Sequence, residues 1–204
     1  MATPDESVLQ FGSGRFLRAF ADLFIHEARQ AGQDIGRIVV VQSTGTGRAQ
    51  LFNEQHGRYR IRVRGIRDGK RIDETVEVES VSRALSAAED WEAVLAAGRD
   101  PSTEYILSNT SETGYDVPES ERLDGESPVS FPGKLLTVLH ARYEYGGAPV
   151  TVIPCELIDG NAGALRGLVR DLGRQRRLGD GFLILSLDND AGEAWRKTWA
   201  RSNR

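Results

Sequence analysis

Apolar positions along the chain follow two periods. Ser7-Val8-Leu9-Gln10-Phe11 is a short apolar run that ends in Gly12-Ser13-Gly14, the pattern of a buried strand running into a tight turn. A helical pattern follows at once. Phe16, Phe20, Phe24, Leu17 and Leu23 recur at spacings of three and four, which predicts one broad apolar face turned to the core. Gly32 and Gly36 close that helix. The β-branched run Arg37-Ile38-Val39-Val40-Val41 is short enough for a buried parallel strand. Strand, glycine turn, helix and strand within about 35 residues have the size of one βαβ unit.

The period then changes. Tyr59, Ile61 and Val63 alternate with Arg60, Arg62 and Arg64, which is the spacing of a half-buried strand. Asp68-Gly69 supplies a turn, and the returning stretch sets Ile72, Glu74, Val76 and Val78 against Asp73, Thr75, Glu77 and Glu79. Arginines facing acids predict an antiparallel hairpin held by cross-strand charge pairs, not an anion site. Ser86 followed by Glu89 reads as a capping box that opens a helix through Trp91, Val94 and Leu95 and stops at Gly98 and Pro101. Tyr105-Ile106-Leu107 is a short strand followed by the polar turn 108–114, and the Pro-, Asp- and Ser-rich span 118–132 reads as an exposed loop. A helix over 134–143, a strand over 150–155 and a second helix carrying Leu165, Leu168, Val169 and Leu172 complete the pattern. Alternating strands and helices with an inserted hairpin predict an α/β fold with a doubly wound, mostly parallel Rossmann-type sheet.

Composition narrows the function. With 204 residues, 39% hydrophobic and 27% charged, the chain has enough length for one domain with a proper core. A net charge of -4 offers no basic excess for nucleic acid or an anionic membrane. No apolar run approaches the roughly 20 residues of a bilayer span, and the start lacks a signal-peptide pattern. One cysteine, Cys155, excludes an internal disulfide, reads as a small core residue and suits the cytoplasm. His26, His56 and His140 have no partner at metal-ligand spacing, so no metal is expected.

The candidate chemistry sits at the glycine turn. Gly12 and Gly14 lie between a strand and a helix, where glycine lets backbone N–H groups approach a pyrophosphate and a helix N-terminus adds partial positive charge. Leu17 stands where the usual motif has its third glycine, and the next strand ends in Gln42-Ser43-Thr44 instead of an acid for the adenosine ribose. The choice between NAD and NADP is therefore left open. Lys134 at the start of a helical run reads as a surface lysine, and Asn161 as either a helix N-cap or an amide offered to substrate.

Four segments carry a resemblance. The run from Leu9 to Phe20, LQFGSGRFLRAF, resembles the opening motif of tagaturonate reductases (altronate oxidoreductases), which are grouped with mannitol dehydrogenase among long-chain dehydrogenases. Ser108–Gly114 (SNTSETG), Ser130–Leu135 (SFPGKL) and Ile153–Asn161 (IPCELIDGN) match further motifs in the family's order. The resemblance implies a cofactor-binding Rossmann domain over 1–178, followed by a tail, 179–204, that resembles no family segment. It puts Gly12, Gly14, Arg15, Phe16, Asn109 and Thr110 at NAD, and Glu112 and Asn161 near the reacting end of a sugar acid or polyol. It also implies a helical C-terminal domain with a catalytic lysine in a Lys-x4-Asn-x2-His motif. That motif is absent here: none of Lys70, Lys134 and Lys197 is followed by it. Two expectations follow. One is a dehydrogenase domain whose catalytic lysine belongs to a separate domain or chain. The alternative is a non-catalytic dinucleotide-binding module or a degenerate fragment.

Overall fold

The computed structural model describes residues 6–45, 47–123, 125–146, 149–179 and 182. In chain order the first elements are β1 (Glu6–Phe11), α1 (Arg15–Ala19), α2 (Ala21–Gln30), β2 (Arg37–Gln42) and α3 (Arg48–Glu54). β3 (Tyr59–Arg67) and β4 (Lys70–Val78) come next, then β5 (Val81–Ser86), α4 (Trp91–Arg99) and β6 (Tyr105–Ser108). A 3-10 turn (Glu112–Tyr115), α5 (Phe131–Glu144), β7 (Thr151–Pro154) and α6 (Asn161–Gln175) close the described fold.

Five strands form one parallel sheet in the order β5-β2-β1-β6-β7. The chain winds outward in one direction from β1, then returns to begin β6 on its other side. The crevice where the strand order reverses is where ligands bind in such sheets. Side-chain alternation builds a core on each face. Leu9 and Phe11 of β1 pack with Val94 of α4, Leu135 and Val138 of α5 and Val169 of α6. Val8 points to the other layer, with Ala49 and Phe52 of α3 and Ile25 of α2. Phe182 is buried in the first core, edge-on to His140. Apart from Gly179 and Phe182, the segment 179–204 lies outside the described residues.

The first helix departs from the pattern. Leu17 and Leu23 are buried as expected, but Phe16, Phe20 and Phe24 are 47%, 50% and 56% exposed. They stack on one another, with ring centroids 5.2 and 6.3 Å apart. The cause is a break at Phe20 (φ -123°, ψ -73°) that divides the helix into α1 and α2. Asp22, fully buried, then occupies the core side of α2. α1 is a five-residue turn, so any macrodipole at the glycine turn is weak.

Asp22 anchors the hairpin to the sheet. Tyr59 Oη donates to its Oδ2 (2.8 Å) and to the Arg18 carbonyl (3.1 Å), and Ser80 Oγ donates to its backbone carbonyl (2.7 Å). Burial pushes the Asp22 carboxyl up to about 6, against weaker opposing effects of Tyr59, the Gln10 amide and Arg18. Its Oδ1 and Gln10 Oε1 are both buried without a partner, a mismatch that a proton on Asp22 relieves. The folded state thus holds the proton more tightly than the unfolded chain. Its stabilising contribution is complete below the ordinary carboxylate pKa of 3.8 and is lost as pH rises through about 6. Asp22→Asn, which carries its own N–H, should be more stable than wild type at pH 8 by up to roughly 3 kcal/mol, with the gain shrinking toward pH 4. Urea unfolding at the two pH values checks this, and a variant less stable at pH 8 contradicts it.

β3 and β4 form a separate antiparallel ribbon with Tyr59 opposite Val78 and Arg67 opposite Lys70. Arg58 pairs with Glu79, Arg60 with Glu77, Arg62 with Asp73 (2.6 Å) and Arg67 with Glu74. The Arg62 guanidinium beside Asp73 holds that carboxyl below the usual range. These pairs lie in solvent, where water competes with each. Arg62→Ala is expected to leave the urea midpoint nearly unchanged and cofactor affinity untouched. A large affinity loss at unchanged stability would make the ribbon part of a site.

Two further expectations are corrected. Ser86 ends β5, paired with Gln42, and is no cap. Asp90 is the N-cap of α4, and its carboxylate turns back to accept from Ser86 N–H (2.8 Å). The span 118–132 is also not simply exposed: Glu121 is buried, and the helix begins at Phe131, capped by Ser130.

Candidate functional site

The carboxyl ends of β1 and β6 lie side by side, and the loops that leave them shape a cleft of about 400 Å³, within the range of small-molecule sites. Gly12, Ser13 and Gly14 line it beneath, with Asn109 and Thr110 beside them. Gly12 has φ +123°, and a Cβ there would sit 2.9 Å from the Asn109 carbonyl oxygen. A side chain is therefore excluded by conformation and by contact. Its N–H is spent on the Val41 carbonyl (3.0 Å). Gly14 differs: its backbone is extended and a Cβ would meet nothing within 4 Å. Among the described residues no acceptor meets the N–H groups of Ser13 and Gly14. They are open donors at the bottom of an open cleft.

Ser43, Thr44 and Arg48 close one end. Gln42 organises that loop: Oε1 accepts from Ala49 N–H (2.7 Å) and Nε2 donates to the Thr44 carbonyl (3.1 Å). Arg48 Nη1 reaches over to Ser13, 3.3 Å from its carbonyl and 3.4 Å from its hydroxyl. Ser43 Oγ is buried with no hydrogen-bond partner.

A buried polar network stands behind Asn109 and Thr110. Asn109 Nδ2 donates to the Cys155 carbonyl (2.7 Å), and Thr110 N–H donates to Glu156 Oε1 (3.1 Å). The other Glu156 oxygen accepts from Tyr115 Oη and Asn161 Nδ2, each at 3.1 Å. Tyr115 Oη also donates to Asn161 Oδ1 (2.5 Å). Asn161 is thus engaged with Glu156 and Tyr115 and does not line the cleft. It is not an N-cap either, since Gly160 holds that position in α6 without a side-chain bond. Burial raises the Tyr115 hydroxyl pKa, with Glu156 adding to it. Burial also pushes the half-buried Cys155 thiol up to about 11, which keeps it protonated and unreactive at neutral pH.

The structure brings Gly12, Gly14, Asn109 and Thr110 together around the cleft. Arg15 and Phe16 are exposed and are not among its walls. The Glu112 backbone lies in the 3-10 turn, and its side chain lies outside the described part of the structure. Lys134 corrects the surface reading: it is only 3% exposed, lines the cleft, and Nζ donates to the Val129 carbonyl (2.7 Å). Sequence reasoning misses Arg48 because a short helix after a polar loop leaves no periodic signal, and it notes Ser43 only as part of the Gln42-Ser43-Thr44 stretch that lacks a ribose acid. Among the described residues no group of three or more potential ligands gathers for a metal, and no helix is long and apolar enough to cross a membrane.

A doubly wound parallel sheet with a glycine turn at the reversal of strand order defines a Rossmann domain of the dehydrogenase type. The chain belongs to the mannitol dehydrogenase family: the profile of the mannitol dehydrogenase Rossmann domain matches residues 6–183. It is 35% identical over 181 residues to the altronate oxidoreductase of Bacillus subtilis (strain 168), covering 87% of this chain and 38% of that relative. It is 38% identical over 169 residues to the altronate oxidoreductase of Halalkalibacterium halodurans, covering 80% and 33%. Among solved structures, D-sorbitol dehydrogenase in substrate-free form matches with a TM-score of 0.70 and 25% identity, over 87% of this chain and 39% of that one. Mannitol 2-dehydrogenase of Pseudomonas fluorescens, solved with NAD and D-mannitol, shares the fold with a TM-score of 0.71 and 20% identity, over 85% and 38%. The chain thus spans between a third and two fifths of the length of these relatives.

Proposed function

We propose that this chain is the cofactor-binding part of an NAD-dependent dehydrogenase that interconverts a sugar acid and its keto form, as in the altronate oxidoreductases it is similar to. The observation that carries the reading is the cleft itself. It has a positive-φ glycine, a glycine with open space beside it, two unpaired N–H groups and an orphaned Ser43 hydroxyl, all at the reversal of strand order. The site fits a dinucleotide. The Ser13 and Gly14 amides would hold its pyrophosphate, Ser43, Thr44 and Arg48 its adenosine end, and Asn109 and Thr110 its nicotinamide end. Bound there, NAD supplies the hydride acceptor of the reaction.

The residues of this chain bind and orient. Glu156, held by Tyr115 and Asn161, fixes the Thr110 backbone by a 3.1 Å hydrogen bond. Asn161 is therefore a positioning residue in this reading, and Arg15, which follows Gly14 directly, would add positive charge to the approach of the phosphates. The group that exchanges the substrate's hydroxyl proton would come from polypeptide that the relatives carry beyond the matched share, where the family resemblance places its lysine. A cytoplasmic setting fits a nicotinamide-linked sugar-acid enzyme. One second reading is a dinucleotide-binding module without turnover. Fusing the remaining length of the Bacillus subtilis altronate oxidoreductase after about Arg177 decides between them. Altronate-dependent NAD reduction is expected from the fusion. A folded fusion that binds NAD and shows no turnover supports the module.

A further inference from the structure

Lys134 is the one lysine among the described residues that lines the cleft, and its surroundings offset its burial only in part. It lies in the first turn of α5, 97% removed from solvent, with one hydrogen bond, to the Val129 carbonyl at 2.7 Å. The Glu121 charge acts on it in the opposite sense to burial, without an ion pair to Nζ: the two Glu121 oxygens accept from the N–H groups of Val129 (2.7 Å) and Ser130 (3.0 Å). No carboxylate forms an ion pair with Nζ among the described residues. Asp116 lines the same cleft but is exposed at its mouth. A buried ammonium with one carbonyl acceptor retains most of its desolvation cost, and burial accordingly lowers its pKa. An anion brought to Nζ recovers that cost, whereas a neutral hydroxyl does so only weakly.

Position decides which anion. In the dehydrogenase reading the pyrophosphate already has the Ser13 and Gly14 amides as donors, and Lys134 lines the same cleft as Asn109 and Thr110, the residues assigned to the nicotinamide end. We infer that Lys134 recognises the carboxylate of the substrate, so that this cleft selects a sugar acid over a neutral polyol of the same length. The inference rests on the dehydrogenase reading and names the residue that sets its substrate class. Lys134 is a binding group here and carries no proton in the reaction.

The chain has three lysines, Lys70, Lys134 and Lys197, so lysine labelled with carbon-13 at Cε gives a spectrum in which Lys134→Gln identifies the Lys134 signal. The chain is titrated with D-altronate and, separately, with D-mannitol, each with and without saturating NADH, while calorimetry follows NADH itself. Altronate is expected to shift the Lys134 signal and raise its apparent pKa, and mannitol to do neither. Lys134→Gln should weaken altronate binding about tenfold to a hundredfold. Its NADH affinity should stay within about threefold of wild type, and Lys134→Arg should retain most of the altronate affinity. Absence of any shift with altronate, or an equal response to mannitol, overturns the inference. Loss of NADH binding in a folded Lys134→Gln also overturns it, because the lysine then serves the cofactor's phosphates. A chain that answers altronate but never binds NADH keeps this inference and removes the dinucleotide reading instead.

Discussion

The 204-residue chain, mixed with NAD and altronate, is expected to reduce NAD at the background rate even when both ligands bind. Three lysines are present, and none stands in the Lys-x4-Asn-x2-His setting that the family resemblance associates with proton exchange. Lys70 lies in the exposed ribbon, Lys197 lies outside the described residues, and Lys134 is tied to the Val129 carbonyl. Missing general acid–base help costs about 10²–10⁴-fold. An unclosed cleft also forgoes the positioning that makes a bimolecular step effectively unimolecular. A sensitive absorbance assay at 340 nm reads the result. Robust turnover by the isolated chain would mean that a residue of this chain, Lys134 or Glu112, exchanges the proton, and if it is Lys134 its assignment to the carboxylate falls.

Gly12→Val is expected to damage the fold itself. The backbone at φ +123° is glycine territory, and the new Cβ would lie 2.9 Å from a backbone oxygen that cannot swing away. Conformational strain alone costs about 1–3 kcal/mol, and the contact pushes β1 away from the Asn109 loop. A lower urea midpoint together with lost NADH binding is the expected result. Near-wild-type stability would show that the turn adapts and that the glycine is not structurally required. Gly12 is therefore the wrong place to test binding alone, although the sequence presents Gly12 and Gly14 as equivalent. At Gly14 a valine has an ordinary extended backbone and free space, so the fold should survive there.

The strand that enters the glycine turn was legible because buried β-branched runs and obligate glycines are local signals. The ribbon was legible because alternation fixes which residues face one another, and Arg60 does oppose Glu77. The phenylalanine row was misread for a physical reason. Helical spacing shows that Phe16, Phe20 and Phe24 share a face, but it does not show where that face points, and the break at Phe20 turns it outward. Such a row of exposed rings is a feature that soluble surfaces usually avoid. β5 is not legible because Ser82 and Arg83 interrupt its apolar run; both meet Glu6 at the start of β1 in the same sheet, Arg83 at 2.9 Å. The burial of Lys134 is not legible in the sequence because it depends on Glu121 holding the backbone of Val129 and Ser130, a contact no local spacing encodes. The network that engages Asn161 joins positions 110, 115, 156 and 161, and only the assembled sheet edge brings them together.

The central claim is that the cleft over Gly12, Ser13 and Gly14 binds a nicotinamide dinucleotide, and calorimetric titration of NADH into wild type and Gly14→Val tests it most directly. Wild type should bind with 1:1 stoichiometry. Gly14→Val, folded and with an unchanged urea midpoint, should lose about tenfold or more in affinity, because the valine occupies the space the pyrophosphate needs. Equal binding by the two proteins, or no binding of NADH by a folded wild type, contradicts the account.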